Sequence, residues 1–325
     1  MNIDCLTPTP ILPADERNIA EAARILVGGE LVIFPTETVY GLGANALDDA
    51  AVARIFAVKE RPRFNPLIVH VRNCTDAMAL AKFNPAAEAL AQHFWPGGLS
   101  LVLPRRNDCG VSLLASAGLD TIAVRVPAHP AARALVEAAG IPIAAPSANR
   151  AGRVSPTNAQ ACADELGTRV SLILDAGDCP VGIESTVIGF AEEQPVLLRP
   201  GAIAREQIER IAGVLVSAKE QKIIAPGMLR SHYAPRALLR LNVHDVQHGE
   251  ALLAFGPVAP AGADLVCNLS VRGNLSEAAA NLFAMLRKLD STGVKAIAVM
   301  PIPEIGLGEA INDRLSRAAA PRQTA

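Results

Sequence analysis

The chain has 325 residues, with 30 Lys and Arg against 32 Asp and Glu, and half of it is hydrophobic. Enough apolar surface is present for a core, and the 24 Gly and 24 Pro follow no fixed period, so a disordered or collagen-like chain is excluded. A near-neutral balance with eight Phe, two Tyr and one Trp argues against a dedicated nucleic-acid coat, which needs excess cations and stacking platforms, and leaves local RNA recognition open. No uncharged apolar run approaches the ~18–20 residues of a membrane helix. The opening MNIDCLTPTP lacks the pattern of a signal peptide, and a cytoplasmic protein is expected. Cys5, Cys74, Cys109, Cys162, Cys179 and Cys267 form no CxxC pair and have no nearby His spacing, which reads as reduced thiols without a metal site.

Length favours two domains. Residues 1–215 hold 18 cations and 23 anions, whereas 216–325 hold 12 and 9. The expected division is a first domain over 1–215, a linker over 216–237 and a second domain over 238–325. In chain order, 15–28 carries Ile19, Ala22, Ala23 and Leu26 at helical spacing and stops at Gly28-Gly29. LVIF (31–34) reads as a buried strand. Asp48-Asp49 can cap a helix with Val52, Ile55 and Phe56 on one face. LIVHV (67–71), SLVL (100–103), TIAVRV (121–126), SLILD (171–175) and STVIGF (185–190) read as strands. Helices are expected near 85–94, 130–139, 157–166 and 204–212. In the second domain, strands over 251–255 and 296–300 flank a helix over 276–290. The class is α/β in both units.

Several segments could carry chemistry. In PTETVYGLGANA, Gly41, Gly43 and Ala46 match a dinucleotide pattern, but the strand ends six residues too early for its tight turn. The segment reads as a glycine-rich turn with the hydroxyls of Thr36, Thr38 and Tyr40 beside it, either a structural loop or a ligand approach. Lys59 and Arg61 fall at a helix end before Asn65 and a strand bearing His70. A compact ammonium beside a planar guanidinium suits a polyphosphate, although cations at a helix C-terminus and a core histidine are ordinary alternatives. Arg125 lies between Val124 and Val126 and requires an anion from either a protein carboxylate or a ligand. IAAPSANRAGRVSPT sets Ser147, Asn149 and Ser155 in small-residue loops, and Ser185 and Arg199 complete the polar set. No phosphate loop of the G-x-x-x-x-G-K-[ST] type, no HExxH and no G-x-S-x-G elbow occurs.

PTETVYGLGANA, KERPRFNPLIVHV, FWPGGLSLVLP, GLDTIAVRVPAHP, APSANRAGRVSPT and GIESTVI followed by LLRPGAI resemble, in order, the YrdC-like domain of L-threonylcarbamoyladenylate synthases. PGMLRSHYAP and GLGEAINDRL resemble the longer, two-domain form. The resemblance implies a twisted mixed-sheet domain with a concave, positively lined cavity and a smaller Rossmann-like α/β domain. It implies formation of threonylcarbamoyl-AMP and pyrophosphate from L-threonine, bicarbonate and ATP, with magnesium carried mainly on the ATP phosphates. This would be the first step of a tRNA modification beside the anticodon, and another complex would perform the transfer to tRNA, leaving RNA contact weak or indirect.

The K-x-R and S-x-N pairs map onto Lys59/Arg61 and Ser147/Asn149. With Asn65, Thr121, Ser155 and Arg199 these are assigned to ATP, Lys59 and Arg61 being the catalytic pair. His232 and Tyr233 would close over the nucleotide. Thr38, His70, Arg125, Ser185 and the backbone at Ala145 are carried over as the threonine pocket, with Arg125 on the carboxylate. Glu60, Gly98 and Ala176 depart from the expected pattern, and Glu60 is expected to point outward. A carbamoyl-transfer step of hydrogenase maturation is the second enzyme reading, without the zinc-finger cysteines such assemblies carry. An RNA-binding module is the third, weakened by the anionic first domain.

Overall fold

The computed structural model describes residues 8–217 and 232–321. Across the large sheet the strands run Ile11–Pro13, Leu172–Asp175, Val32–Phe34, Gly41–Asn45, Ile143–Ala144, Ile68–His70, Thr121–Arg125, Leu99–Pro104, Thr186–Ala191, Gln194–Arg199 and Val216–Ser217. The sheet contains both parallel and antiparallel pairs and is therefore mixed. The period-2 alternation of strands explains its faces. Val69, Leu101, Val124 and Ile188 enter the main core with helices Asp49–Lys59, Pro85–Phe94 and Ala159–Leu166. On the opposite side, helices Glu16–Val27 and Pro130–Ala139 cover Val32, Phe34, Leu172 and Leu174. Farther along the sheet, that side carries the small cluster Ile68, Val102, Ala123, Val187, Val196 and Leu198. His70 and Arg125 lie in register on adjacent strands there, so the alternation that buries Val69 and Val124 turns both polar side chains to the other face.

The cap expected at Asp48 forms, accepting from the Ala50 and Ala51 N–H groups, and the first helix stops at Gly28 as expected; Asp15, which the sequence reading did not name, caps its start by accepting from the Asn18 N–H. PTETVYGLGANA departs from expectation, because Gly41–Asn45 is a strand antiparallel to Val32–Phe34 and not a turn. Its glycine is needed for packing: a Cβ on Gly43 would stand 2.9 Å from the Phe34 ring and 3.1 Å from Ile143. Helix Cys74–Leu80 and the short strand Ile143–Ala144 also lie outside the expected elements. Gly98 sits where a Cβ would come 2.6 Å from that of Ala202, so this departure from the family pattern fits a crowded position.

Val216 pairs with Val196 and Ser217 with Leu197 at the edge of the large sheet, although the sequence assigns both to the linker. The remainder of that segment, 218–231, lies outside the described residues. The second domain has an all-parallel sheet ordered Leu238–Arg240, Ala296–Val299, Glu250–Ala254, Val266–Asn268. Helix Leu275–Ser291 buries Ala279, Leu282, Phe283, Leu286 and Leu289 against it, and Leu307–Ala319 adds Ile311 and Leu315. The domains dock closely. A Cβ on Gly182, whose φ is +74°, would fall 2.4 Å from the Ala280 backbone, and Arg205 pairs with Glu309 at 2.5 Å.

Candidate active site

A cleft opens beside His70 and Arg125, on the side of the sheet away from the main core. Its wall brings together Thr38, Arg61, His70, Arg125, Ala145, Ser147, Ser185, Arg199, His232 and Tyr233 from the sequence-derived set. The loop after Val32–Phe34 contributes Thr36, whose hydroxyl donates to the Val39 carbonyl at 2.6 Å and lies 2.9 Å from that of Thr38.

Five assigned residues do not line the cavity: Lys59, Asn65, Thr121, Asn149 and Ser155. Lys59 is 1 % exposed, and its ammonium donates to the carbonyls of Ser147, at 2.6 Å, and Asn149. Burial, followed by repulsion from Arg61, holds its pKa well below the usual lysine value. Lys59 therefore fastens the S-x-N loop. Arg61 does reach the cleft and secures the next loop through the carbonyls of Asn65, at 3.2 Å, and Pro66, at 2.9 Å. Burial pushes its pKa down to about 10, leaving it cationic at neutral pH. Asn149 donates to the Arg150 and Arg153 carbonyls. Ser155 donates to Glu184 at 2.5 Å, and Thr121 is half-buried at the start of its strand. The Tyr40 hydroxyl is directed away, donating to the Gly177 carbonyl at 2.8 Å.

The anion required by Arg125 is Glu37, at 2.5 Å, with side chains 4 % and 12 % exposed. Arg125 also donates to Thr38 Oγ1 at 3.0 Å and the Gly97 carbonyl at 3.1 Å. Burial would raise the Glu37 pKa, but Arg125 and backbone N–H donors outweigh it and hold the carboxyl below its usual range. The sequence reading missed Glu37, although its place three residues past a strand end, between two threonines, was a signal. Arg199 donates twice to the Ser185 carbonyl and once to its hydroxyl, which lies 2.8 Å from that of Ser100. Glu60 points outward as expected, 63 % exposed and 3.0 Å from Arg169.

Unpartnered buried atoms concentrate here. His70 Nδ1, His232 Nδ1, Asn65 Oδ1 and Asn149 Oδ1 make no hydrogen bond among the described residues. Two belong to the cavity wall and two to the loops fastened by Lys59 and Arg61. Such atoms carry a desolvation cost unless a ligand or water meets them. Burial pushes both histidine pKa values down to about 3, keeping the rings neutral. Tyr233 adopts φ 64°, a left-handed backbone costing about 1–3 kcal/mol, and stacks on Phe283 of the second domain at 5.6 Å.

The fold and this cleft define a two-domain α/β enzyme whose small polar substrates are held by side chains and backbone. Residues 24–201 match the Sua5/YciO/YrdC family model, described as telomere recombination, and 203–320 match the threonylcarbamoyl-AMP synthase C-terminal domain. The threonylcarbamoyl-AMP synthase of Bacillus subtilis is 42 % identical over 334 residues, covering 97 % of this chain and 96 % of that protein. The one from Pyrococcus abyssi is 41 % identical over 327 residues, covering 95 % and 96 %. The crystal structure of P. abyssi Sua5 complexed with L-threonine superposes with a TM-score of 0.88 at 41 % identity, covering 96 % of this chain and 98 % of that one. The chain belongs to the Sua5/YrdC family of threonylcarbamoyl-AMP synthases. It is an enzyme of that class, a nucleotidyltransferase.

Proposed function

We propose that this cleft joins L-threonine, bicarbonate and ATP into threonylcarbamoyl-AMP, releasing pyrophosphate and water. The observation that carries the reading is the convergence of Arg61, Arg125 and Arg199 with the bare Nδ1 atoms of His70 and His232 in one cavity. The threonine nitrogen would bond to the bicarbonate carbon with loss of water, forming a carbamate. Its oxygen would then attack the α-phosphorus of ATP as the bond to the β-phosphate oxygen breaks and pyrophosphate leaves. No enzyme nucleophile is needed, so the rate comes from alignment and charge stabilisation.

Arg61, Ser147 and Arg199, with the loops of Asn65 and Asn149, would take the triphosphate. Lys59 would act by holding the Ser147–Asn149 backbone, and Thr121 and Ser155 would support the same side. Thr38, His70, Ser185 and the Ala145 backbone would take threonine, whose carboxylate would share Arg125 with Glu37. A neutral His70 suits a hydrogen bond from the threonine hydroxyl or amine. Magnesium would arrive on the ATP phosphates and supply charge neutralisation there. Glu37 and Glu184, the carboxylates beside the cavity, are both committed to arginines, whereas Oδ1 of Asn65 and Asn149 are neutral oxygens left unpartnered. His232 and Tyr233 would cover the nucleotide and keep water from the mixed anhydride.

In this reading the catalytic unit runs through the strand Val216–Ser217, the linker continues to 237, and 238–325 is the accessory domain of a cytoplasmic enzyme. The product would pass to a separate complex that modifies tRNA, with weak or indirect RNA contact by this chain. The test mixes protein, ATP, magnesium and bicarbonate and follows pyrophosphate with and without L-threonine. Threonine-dependent release is expected. Its absence from folded protein sinks the proposal, and dependence on carbamoyl phosphate would favour the carbamoyl-transfer reading.

A further inference from the structure

Arg314 is the largest fully buried side chain among the described residues, and it comes from the last helix of the second domain. Its Nε donates to Glu184 Oε2 at 2.7 Å, and its Nη2 to the Pro200 carbonyl at 3.0 Å. Its Nη1 meets Asp313 at 2.6 Å. The guanidinium carbon lies 5.1 Å from the centre of the Tyr233 ring. Of the three longer-range partners, Glu184 and Tyr233 line the cleft and Pro200 adjoins Arg199, which lines it. Glu184 lines it and, through its other oxygen, accepts from Ser155 in the S-x-N segment. Pro200 follows Arg199. Tyr233 lines it as well and contacts both Arg314 and Phe283.

Other interdomain ion pairs lack this connection. Arg205 and Glu309 are 28 % and 27 % exposed, and neither lines the cleft. Arg287 pairs with Glu165 at 3.2 Å and donates to the Val154 carbonyl, so it reaches the S-x-N segment but neither Glu184, the Arg199–Pro200 turn nor Tyr233. If the second domain needed only to be attached, pairs of this kind would suffice.

We infer that Arg314 is a positioning residue for nucleotide use, setting the Ser155 segment, the Arg199–Pro200 turn and Tyr233 relative to one another from the second domain. The inference rests on the ATP-dependent reaction proposed above. Arg314 touches no reacting atom in this account. It acts through Glu184, whose two oxygens join the helix to the S-x-N segment, and through the face of Tyr233. The accessory domain thereby completes the nucleotide side of the cleft, while His70, Arg125 and Glu37 on the threonine side receive no contact from Arg314, and Ser185 is reached indirectly, through its neighbour Glu184.

The experiment uses the full chain and measures KM for ATP and for threonine, with thermal melting of each variant. Arg314→Met is expected to raise KM for ATP about tenfold or more and leave KM for threonine within about twofold. Because Arg314→Met alone strands the buried Glu184 charge, Arg314→Met with Glu184→Gln removes the unpaired charge and keeps the variant measurable. That double variant is expected to melt closer to the unsubstituted protein yet retain the raised KM for ATP. Arg205→Gln, which breaks an interdomain pair remote from the cleft, is expected to lower melting without moving either KM by more than about twofold. An unchanged KM for ATP in a folded Arg314 variant, or an equal rise in both constants, overturns the inference and leaves the proposed reaction standing. An unsubstituted protein without threonine-dependent pyrophosphate release overturns both.

Discussion

The two domains bury polar groups in different places. In the first, Glu37, Lys59, Asn65, His70, Arg125, Asn149, Glu184 and Arg199 are all nearly inaccessible and gather around one cleft. In the second, Glu250 pairs locally with Arg240 and Ser270 with Glu277, and among the described residues Arg314 is the buried charge that turns toward the other domain. The remainder of its interior is an apolar cluster built on Leu282, Phe283, Leu286 and Ile297. Buried polarity opposes stability unless every group is paired. The first domain keeps groups that its fold alone does not require, and this is the physical mark of a site.

The contrast can be broken most severely at Arg125. Glu37→Gln leaves that guanidinium buried without its anion, and a loss of about 3–5 kcal/mol is expected in urea unfolding. The corresponding change in the second domain, Glu250→Gln, faces a partner 32 % exposed and should cost under about 1 kcal/mol. Equal losses would erase the distinction. Next, Arg61→Ala should lower threonine-dependent pyrophosphate release by about 100-fold or more, the scale of removing one preorganised charge-stabilising donor. Full activity in Arg61→Ala together with Lys59→Ala would overturn the phosphate assignment.

Acid sharpens the comparison more gently. The folded pKa values of His70 and His232 are lowered to about 3 from 6.5, so the unfolded chain binds protons first on acidification. Their contribution to stability is complete above pH 6.5 and declines as the pH falls toward 3. Glu184, held at about 2 by Arg314 and Arg199 against the burial that would raise it, adds a loss in the same direction between 4.5 and 2. A urea midpoint that rises between pH 6.5 and 4 contradicts this account, and His70→Asn should flatten the dependence. The smallest effect belongs to Glu60, which closes its helix at φ 54°. Glu60→Gly should gain no more than about 1 kcal/mol from the relaxed left-handed backbone, with ATP affinity unchanged. A rise in affinity above tenfold would contradict its outward orientation.

Much of the first domain was legible because local rules and tertiary packing agree there. Asp48 caps the helix its position suggests, Gly28 ends the one before it, and the alternation around Arg125 fixes which way it faces. Gly41–Asn45 was not legible as a strand, since glycine has low strand preference and its use here depends on Phe34 and Ile143, distant or separate in sequence. Ten of the assigned residues meet in the cleft, while Lys59, Asn65, Asn149 and Ser155 stand behind its wall. Residue type shows which chemistry is available, but not whether a side chain reaches a ligand or holds the loop that does.

By itself the sequence determined the α/β class, the chain order of most elements and the set of charged and hydroxyl residues from which a phosphate and amino-acid site could be made. These follow from periodicity, capping and composition, which act over a few residues. Only the tertiary structure decided that Glu37 pairs with Arg125, that Lys59 binds backbone carbonyls, and that Arg314 enters the wall of the cleft from the far end of the chain. Those choices join groups separated by as many as 130 residues. They are made by burial, which leaves each charge with only the partner that the packed domains bring within reach.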